Sequence, residues 1–225
     1  NEKNRLSIFA SAANTDRDSY YGPGNDPLKA YGKTTDLIAM GGAQYVHTFD
    51  KCLFMPSDLT AGLEYNRDRL KDNMWGYDRH TDQTVNIYSA FLQNEWKNER
   101  WSILVGGRLD KHNMVDNIIF SPRANLRFNP TQNINLRLSY SSGFRAPQAF
   151  DEDMHIENVG GTVAMIERTK NLKEEKSQSF SASADIYHRF GAFQTNFLIE
   201  GFYTKLTDVF VLGEPYNRGD GVLVK

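Results

Sequence analysis

The segment "DEDMHIE" gathers Asp151, Glu152, Asp153, His155 and Glu157, the densest set of acid–base and metal-ligating groups in the sequence. A hard cation such as calcium takes six to eight oxygen ligands, and a dense acidic segment offers several. The spacing lacks the D-x-[DN]-x-[DN]-G register and closing glutamate of an EF-hand. One histidine among carboxylates also falls short of a zinc set. Three readings stay open: a cation site, a loop patch that touches a ligand, and a solvated acidic loop. Ser141 and Ser142 lie upstream, but no G-x-S-x-G elbow surrounds either serine. "GPGN" and "GGAQY" lack the Lys-Ser/Thr or G-x-G-x-x-G context that cradles a phosphate. The chain is therefore expected to be no enzyme, with no cofactor. A second group, Tyr20, Tyr21, Trp75, Tyr77 and Tyr216, offers flat rings that either stack on a ligand or pack the loops that carry them.

Composition narrows what these residues serve. With 26 basic and 28 acidic residues and a net charge of -2, the chain has no basic stripe to neutralise phosphates, so nucleic acid is not an expected partner. Cys52 is the single cysteine, which excludes an internal disulfide framework and any multi-cysteine metal site. No apolar run approaches the roughly 20 residues of a membrane-spanning helix. A membrane barrel remains open, because its strands alternate and average out to a hydrophilic sequence. The chain begins at Asn1 and ends in "GVLVK", and is expected to be an internal piece of a longer protein.

Period-two alternation dominates the elements that must carry these groups. In "RWSILVGGRLD", Trp101, Ile103, Val105, Gly107 and Leu109 share one face, and Ser102, Gly106, Arg108 and Asp110 the other. "NINLRLSY" repeats the pattern. Glu64, Arg108, Asp110, Arg123, Arg127, Arg137, Asp185 and Glu200 all fall on the polar parity. The spacing predicts about ten strands, near 4–15, 33–49, 58–70, 81–97, 100–112, 118–129, 134–143, 174–189 and 193–210, with one beginning at Gly221. Most exceed the five or six residues usual in soluble domains. Long connections follow the odd strands and short ones the even strands, as in an up-and-down meander through a membrane. Aromatic residues bracket the short turns: Trp96 and Trp101 around "KNER", Phe190 and Phe193 around Gly191, Phe128 before "NPTQN", and Phe49 and Phe54 around "DKC". Rings at one height are expected of an interfacial girdle, and Tyr20, Tyr21, Tyr65, Tyr140 and Tyr203 suit the opposite one. The expected fold class is all-β, an antiparallel transmembrane β-barrel wall; a soluble sheet with aromatic hairpin ends is the competing reading.

Several stretches then resemble one family. "GFRAP", Gly143 to Pro147, resembles the segment of TonB-dependent outer-membrane receptors in which a barrel strand ends before a long extracellular loop. "NLKEEKSQSF" is similar to the family's next strand start, through Leu172, Lys173, Glu175, Lys176 and Ser177, although the usual Asn-Pro is missing and Glu174 stands where the family has Pro. "EGFYTKLTDVFVL", through Phe202, Tyr203, Asp208 and Val209, and "YSAFLQNEWKNERWSILVGGRLDKH" match two further strand patterns. The resemblance implies that residues 1–225 form part of a receptor barrel of about 22 strands, lacking the plug domain and the remaining strands. It implies a cell outer membrane location in a Gram-negative organism, and capture of a scarce, bulky nutrient such as an iron-siderophore or cobalamin. It also implies contact with outer-membrane lipid and with the TonB complex through the plug. A passive porin-like or structural barrel is the alternative function. Tyr20, Tyr21, Trp75, Tyr77, Asp151, Glu152, Asp153 and His155 are the expected ligand-contacting loop residues, and no metal site is assigned.

Overall fold

The computed structural model describes residues 3–20, 31–75, 79–147, 164–165, 172–211, 214, 216–217 and 223–224. Nine long strands follow one another: β1 (Asn4–Tyr20), β2 (Tyr31–Cys52), β3 (Met55–Met74), β4 (Arg79–Lys97), β5 (Trp101–His112), β6 (Ile119–Thr131), β7 (Ile134–Arg145), β9 (Glu175–Phe190) and β10 (Phe193–Thr207). They form one antiparallel sheet in the order β1-β2-β3-β4-β5-β6-β7-β9-β10, each strand beside its sequence neighbour in the wall. Three two-residue strands, β8 (Ala164–Met165), β11 (Tyr216–Asn217) and β12 (Leu223–Val224), make a separate small sheet. The strand expected from Gly221 therefore lies outside the wall: β12 pairs with β8 and β11. The wall's last ladder ends at Thr207, where Asp208 takes φ 55 and turns the backbone away. No helix of the described residues is long and apolar enough to cross a membrane, which leaves strands unaddressed.

Side-chain alternation sorts the wall into two faces, and the register keeps them consistent from strand to strand. Val105 opposes Ala124, Ala124 opposes Tyr140, Tyr140 opposes Phe180 and Phe180 opposes Tyr203. This outer face carries Leu6 and Ile8 of β1, Leu63 of β3, Leu92 of β4, Leu136 and Leu138 of β7, and Phe197 and Ile199 of β10, all solvent-exposed. The inner face carries Glu64, Arg108, Asp110, Arg123, Arg127, Arg137, Asp185 and Glu200, the polar parity read from the sequence. It is not uniformly polar, since Leu70, Met74 and Val85 are buried on it near the long-loop end. On β5, β6, β9 and β10 the mostly apolar part of the outer face, from Trp101 to Leu109, Phe120 to Phe128, Phe180 to Phe190 and Phe193 to Tyr203, spans about nine to eleven residues, the length a tilted strand needs to cross a bilayer.

Short turns close one end. The β2–β3 connection is tighter than the sequence suggested, with Cys52 pairing Met55 across Leu53 and Phe54. Leu53 takes φ 63 and the Phe54 N–H bonds the Cys52 carbonyl at 2.9 Å, a γ-turn. "KCLFMPS" reads as a loop because Pro56 lacks an N–H. The ladder tolerates it through a bulge, in which Asp50 and Lys51 oppose the proline. Pro130 sits in a second bulge, between Phe128 and Thr131. At the β4–β5 turn the Asn98 carboxamide oxygen accepts the N–H groups of Arg100 and Trp101 at 2.9 and 2.8 Å.

Candidate functional site: the inner wall and its mouth

At mid-height of the inner face, three strands meet in a polar network. Glu64 of β3, Ser89 of β4, and Arg108 and Asp110 of β5 share this face because they follow its parity and Ser89 opposes Asp110. The Arg108 guanidinium donates to Asp110 at 2.8 Å, to Ser89 at 2.7 Å and to Glu64 at 2.5 Å, and Ser89 donates to Asp110 at 2.6 Å. Ser89 and Asp110 are buried, so their charge and hydroxyl depend on these partners. Beside the network is a recess of about 450 Å³ lined by Gln44, Glu64, Phe91, Gln93, Arg108 and Arg123. Two rings of the inner face, Phe91 and Phe9, have their room for a local reason. A methyl group at Gly62 would come within 2.3 Å of the Phe91 ring, and one at Gly42 within 2.6 Å of the Phe9 ring, so each ring lies over a cross-strand glycine.

The inner wall changes chemistry along the sheet. Arg127 and Arg137 are direct cross-strand partners, and neither they nor Arg123 form an ion pair among the described residues. Farther along, hydroxyls replace charges: Ser139 meets Ser181 at 2.7 Å, and Ser179 meets Thr204 at 3.0 Å. Toward the long-loop end, Thr34 donates to the buried Asp72 at 2.7 Å and accepts from Arg17 at 3.4 Å. His112 is completely buried and its Nδ1 accepts the Met114 N–H at 3.0 Å.

Of the loop residues expected to contact a ligand, Tyr20 and Trp75 are described. Tyr21, Tyr77, Asp151, Glu152, Asp153 and His155 lie outside the described residues, as does Glu157. Tyr20 opposes Tyr31 at the long-loop end, and Tyr31 stacks on Trp75 with centroids 5.3 Å apart and planes 7° apart. All three continue the outer parity. Sequence reasoning missed Tyr31, although its place opposite Tyr20 across the β1–β2 connection was a usable signal. The Asp18 carboxylate accepts its hydroxyl at 3.0 Å, and this bond, with burial and the negative charge, raises the phenol above its usual pKa. Ser141 and Ser142 stand on opposite faces of β7 and do not converge.

The opposite end bears the rings expected around the short turns. Phe54 stacks on Trp96 and Trp101 on Phe128, with centroids 5.6 and 4.1 Å apart, and the Trp96 indole donates to the Cys52 carbonyl at 3.0 Å. An apolar outer face, a polar inner face, aromatic rings at the short-turn end and a strictly sequential antiparallel order define the wall of an up-and-down β-barrel.

Comparison with known proteins identifies the barrel. The family described as "TonB dependent receptor-like, beta-barrel" matches residues 3–222, and the chain belongs to that family. Its fold is similar to that of the siderophore receptor PirA from Pseudomonas aeruginosa, at a TM-score of 0.65 and 13% identity, over 98% of this chain and 44% of that one. It is similar also to the ferric enterobactin receptor PfeA of the same organism, crystallised as a Q482A mutant with enterobactin (TM-score 0.64, 17% identity, 98% and 36% covered). A third is the FrpB iron transporter from Neisseria meningitidis (TM-score 0.64, 16% identity, 97% and 35% covered). The chain thus spans less than half the length of each of these structures. No curated protein matches it by sequence.

Proposed function

We propose that this chain is part of the wall of an outer-membrane receptor that captures a scarce, bulky nutrient, an iron-siderophore or a ligand of similar size, and imports it with TonB-coupled energy. The observation that carries the reading is the two-faced wall. Its outer face offers an apolar band of bilayer height, and its inner face offers Arg108, Arg123, Arg127 and Arg137 with a polar recess. A lipid-embedded sheet must close on itself, so strands beyond this chain complete the barrel, and a plug encoded elsewhere in the protein fills it. The siderophore and iron receptors of the same fold favour this reading over a passive channel or an enzyme. The ligand meets the long-loop end, where Tyr20 and Trp75 stand with Tyr31, and where Tyr21, Tyr77, Asp151, Glu152, Asp153 and His155 are the further contact residues.

The test uses the full-length protein as the sole siderophore receptor of an iron-starved Gram-negative host. Radiolabelled ferric enterobactin and a panel of other ferric siderophores should include one that is taken up when TonB is present and only bound at the surface when it is deleted. Uptake that persists without TonB would leave a passive barrel. Absence of binding across siderophores and cobalamin would remove the nutrient-receptor reading.

A further inference from the structure

On the inner face, between the Arg108 network and the mouth, β2 and β3 bring two carboxyls together. Asp36 opposes Leu70 and Asp68 opposes Ile38, so the two aspartates are diagonal neighbours of one parity. Arg67 and Arg69 flank Asp68 on the other parity and set this stretch above the apolar band. The neighbours across the outer ladders bring no charge: Thr15 of β1 opposes Asp36, and the buried Val85 of β4 opposes Asp68. The Oδ1 atoms of Asp36 and Asp68 are both buried, and neither has a hydrogen-bond donor among the described residues.

The other charged groups near the pair on this face are engaged elsewhere. Arg17 of β1 donates to Thr34, Asp72 of β3 accepts from Thr34, and Glu64 of β3 accepts from Arg108 of β5. At this height β4 adds Thr81, Gln83, Val85 and Ile87 to the face, none of them charged. Two ionised carboxylates side by side in such a place repel each other and lack solvation, and one proton between them relieves both by turning an acceptor into a donor. A divalent cation would also relieve them, but two carboxyls fall short of the roughly six to eight oxygens that calcium takes. We infer that Asp36 and Asp68 form a proton-sharing pair, a hydrogen-bonded clasp between β2 and β3 that closes in mild acid and opens when both carboxyls ionise. Burial, the Asp36 charge and the hydrogen bond to Asp36 push the Asp68 carboxyl up to about 6. This folded pKa exceeds the ordinary 3.8, so the clasp's stabilisation is complete below 3.8 and is lost as pH rises through about 6. The pair needs the sheet register alone, whatever ligand the wall serves.

The experiment follows the full-length protein in detergent by urea unfolding at several pH values between about 5 and about 8, beside infrared spectra of the carboxyl stretch. In wild type the unfolding midpoint should climb as pH falls through about 6, and a protonated-carboxyl band should grow over the same range. Asp68→Asn, whose amide donates to Asp36 at every pH, should lose that band, resist urea better than wild type at about pH 8, and climb less as pH falls. The difference between the two proteins is the readout, because histidines titrate in both. If Asp68→Asn does not fold, Asp36→Asn makes the same comparison from the other strand. Equal pH slopes in wild type and a folded variant, or a band that survives the substitution, would overturn the pair. Calcium at about pH 8 should leave the wild-type midpoint where a chelator leaves it. A rise with calcium that Asp68→Asn abolishes would make the pair a cation site and overturn the shared proton.

Discussion

At the scale of single residues, the inner wall is shaped by what is missing as much as by what is present. Gly62 gives its space to Phe91, so Gly62→Val should force the ring off the wall and destabilise the barrel by about 1–3 kcal/mol. In a Phe91→Ala background most of that penalty should vanish, and urea unfolding of the four proteins of the cycle in detergent measures the coupling. Glu174, just ahead of β9, is a different case. Burial opposes its charge, but a backbone hydrogen bond and Lys176, 3.0 Å away, outweigh burial and hold its carboxyl below the ordinary value of 4.5. Because the folded pKa is depressed, the carboxylate stabilises the fold above the ordinary value, and that contribution disappears as pH falls through the folded pKa. Glu174→Gln should therefore unfold more easily than wild type at pH 7, and the two midpoints should converge in acid. The face of each charged strand residue was legible in the sequence, because a one-residue shift would have placed Arg108 or Glu200 among Ile103 and Phe197. The Arg108–Glu64 pair was not legible. It joins β3 to β5 across β4, and alternation within a strand carries no information about height on another.

At the scale of elements, turns and bulges set the register that alternation leaves free. The Asn98 side chain satisfies two N–H groups of its own turn, so Asn98→Ala should cost about 1 kcal/mol while leaving the hairpin's faces unchanged. The check pairs an unfolding midpoint with protection of the Asn94 and Trp96 amides in hydrogen exchange. Nine of the expected strands stand in the wall, mostly longer than the alternation suggested. Pattern reading stopped at "DKCLFMPS" and at "NPTQN" because Pro reads as an interruption. In both places a bulge absorbs it, and strand pairing runs on to a two-residue turn. The expected tenth strand failed for the opposite reason. Alternation in "GVLVK" was too short to choose between the wall and the small sheet that β12 joins.

At the scale of the whole molecule, a two-faced wall predicts a two-faced response to charge. Leu136→Arg or Phe197→Arg, on the outer face, should cost about 2–4 kcal/mol if midway through the band, and folding into lipid vesicles followed by heat-modifiable migration gives the number. An arginine at Ser183, on the inner face beside Glu200, should cost far less. Most of the loop contacts lay beyond what the sequence settles, since a loop's conformation depends on partners far along the chain, and only the paired rings of Tyr20, Tyr31 and Trp75 are placed. The height of the wall has a consequence of its own. On the proposed membrane reading, the β3 ladder between Arg67 and Met74 continues past the apolar band, and at about 3.3 Å per residue and a membrane strand's tilt its end would stand roughly 15 Å clear of the lipid. On that reading, an antibody or a phage reaching between the loops would meet a stiff collar of hydrogen-bonded strands, an epitope whose shape would persist while the loops above it change in sequence.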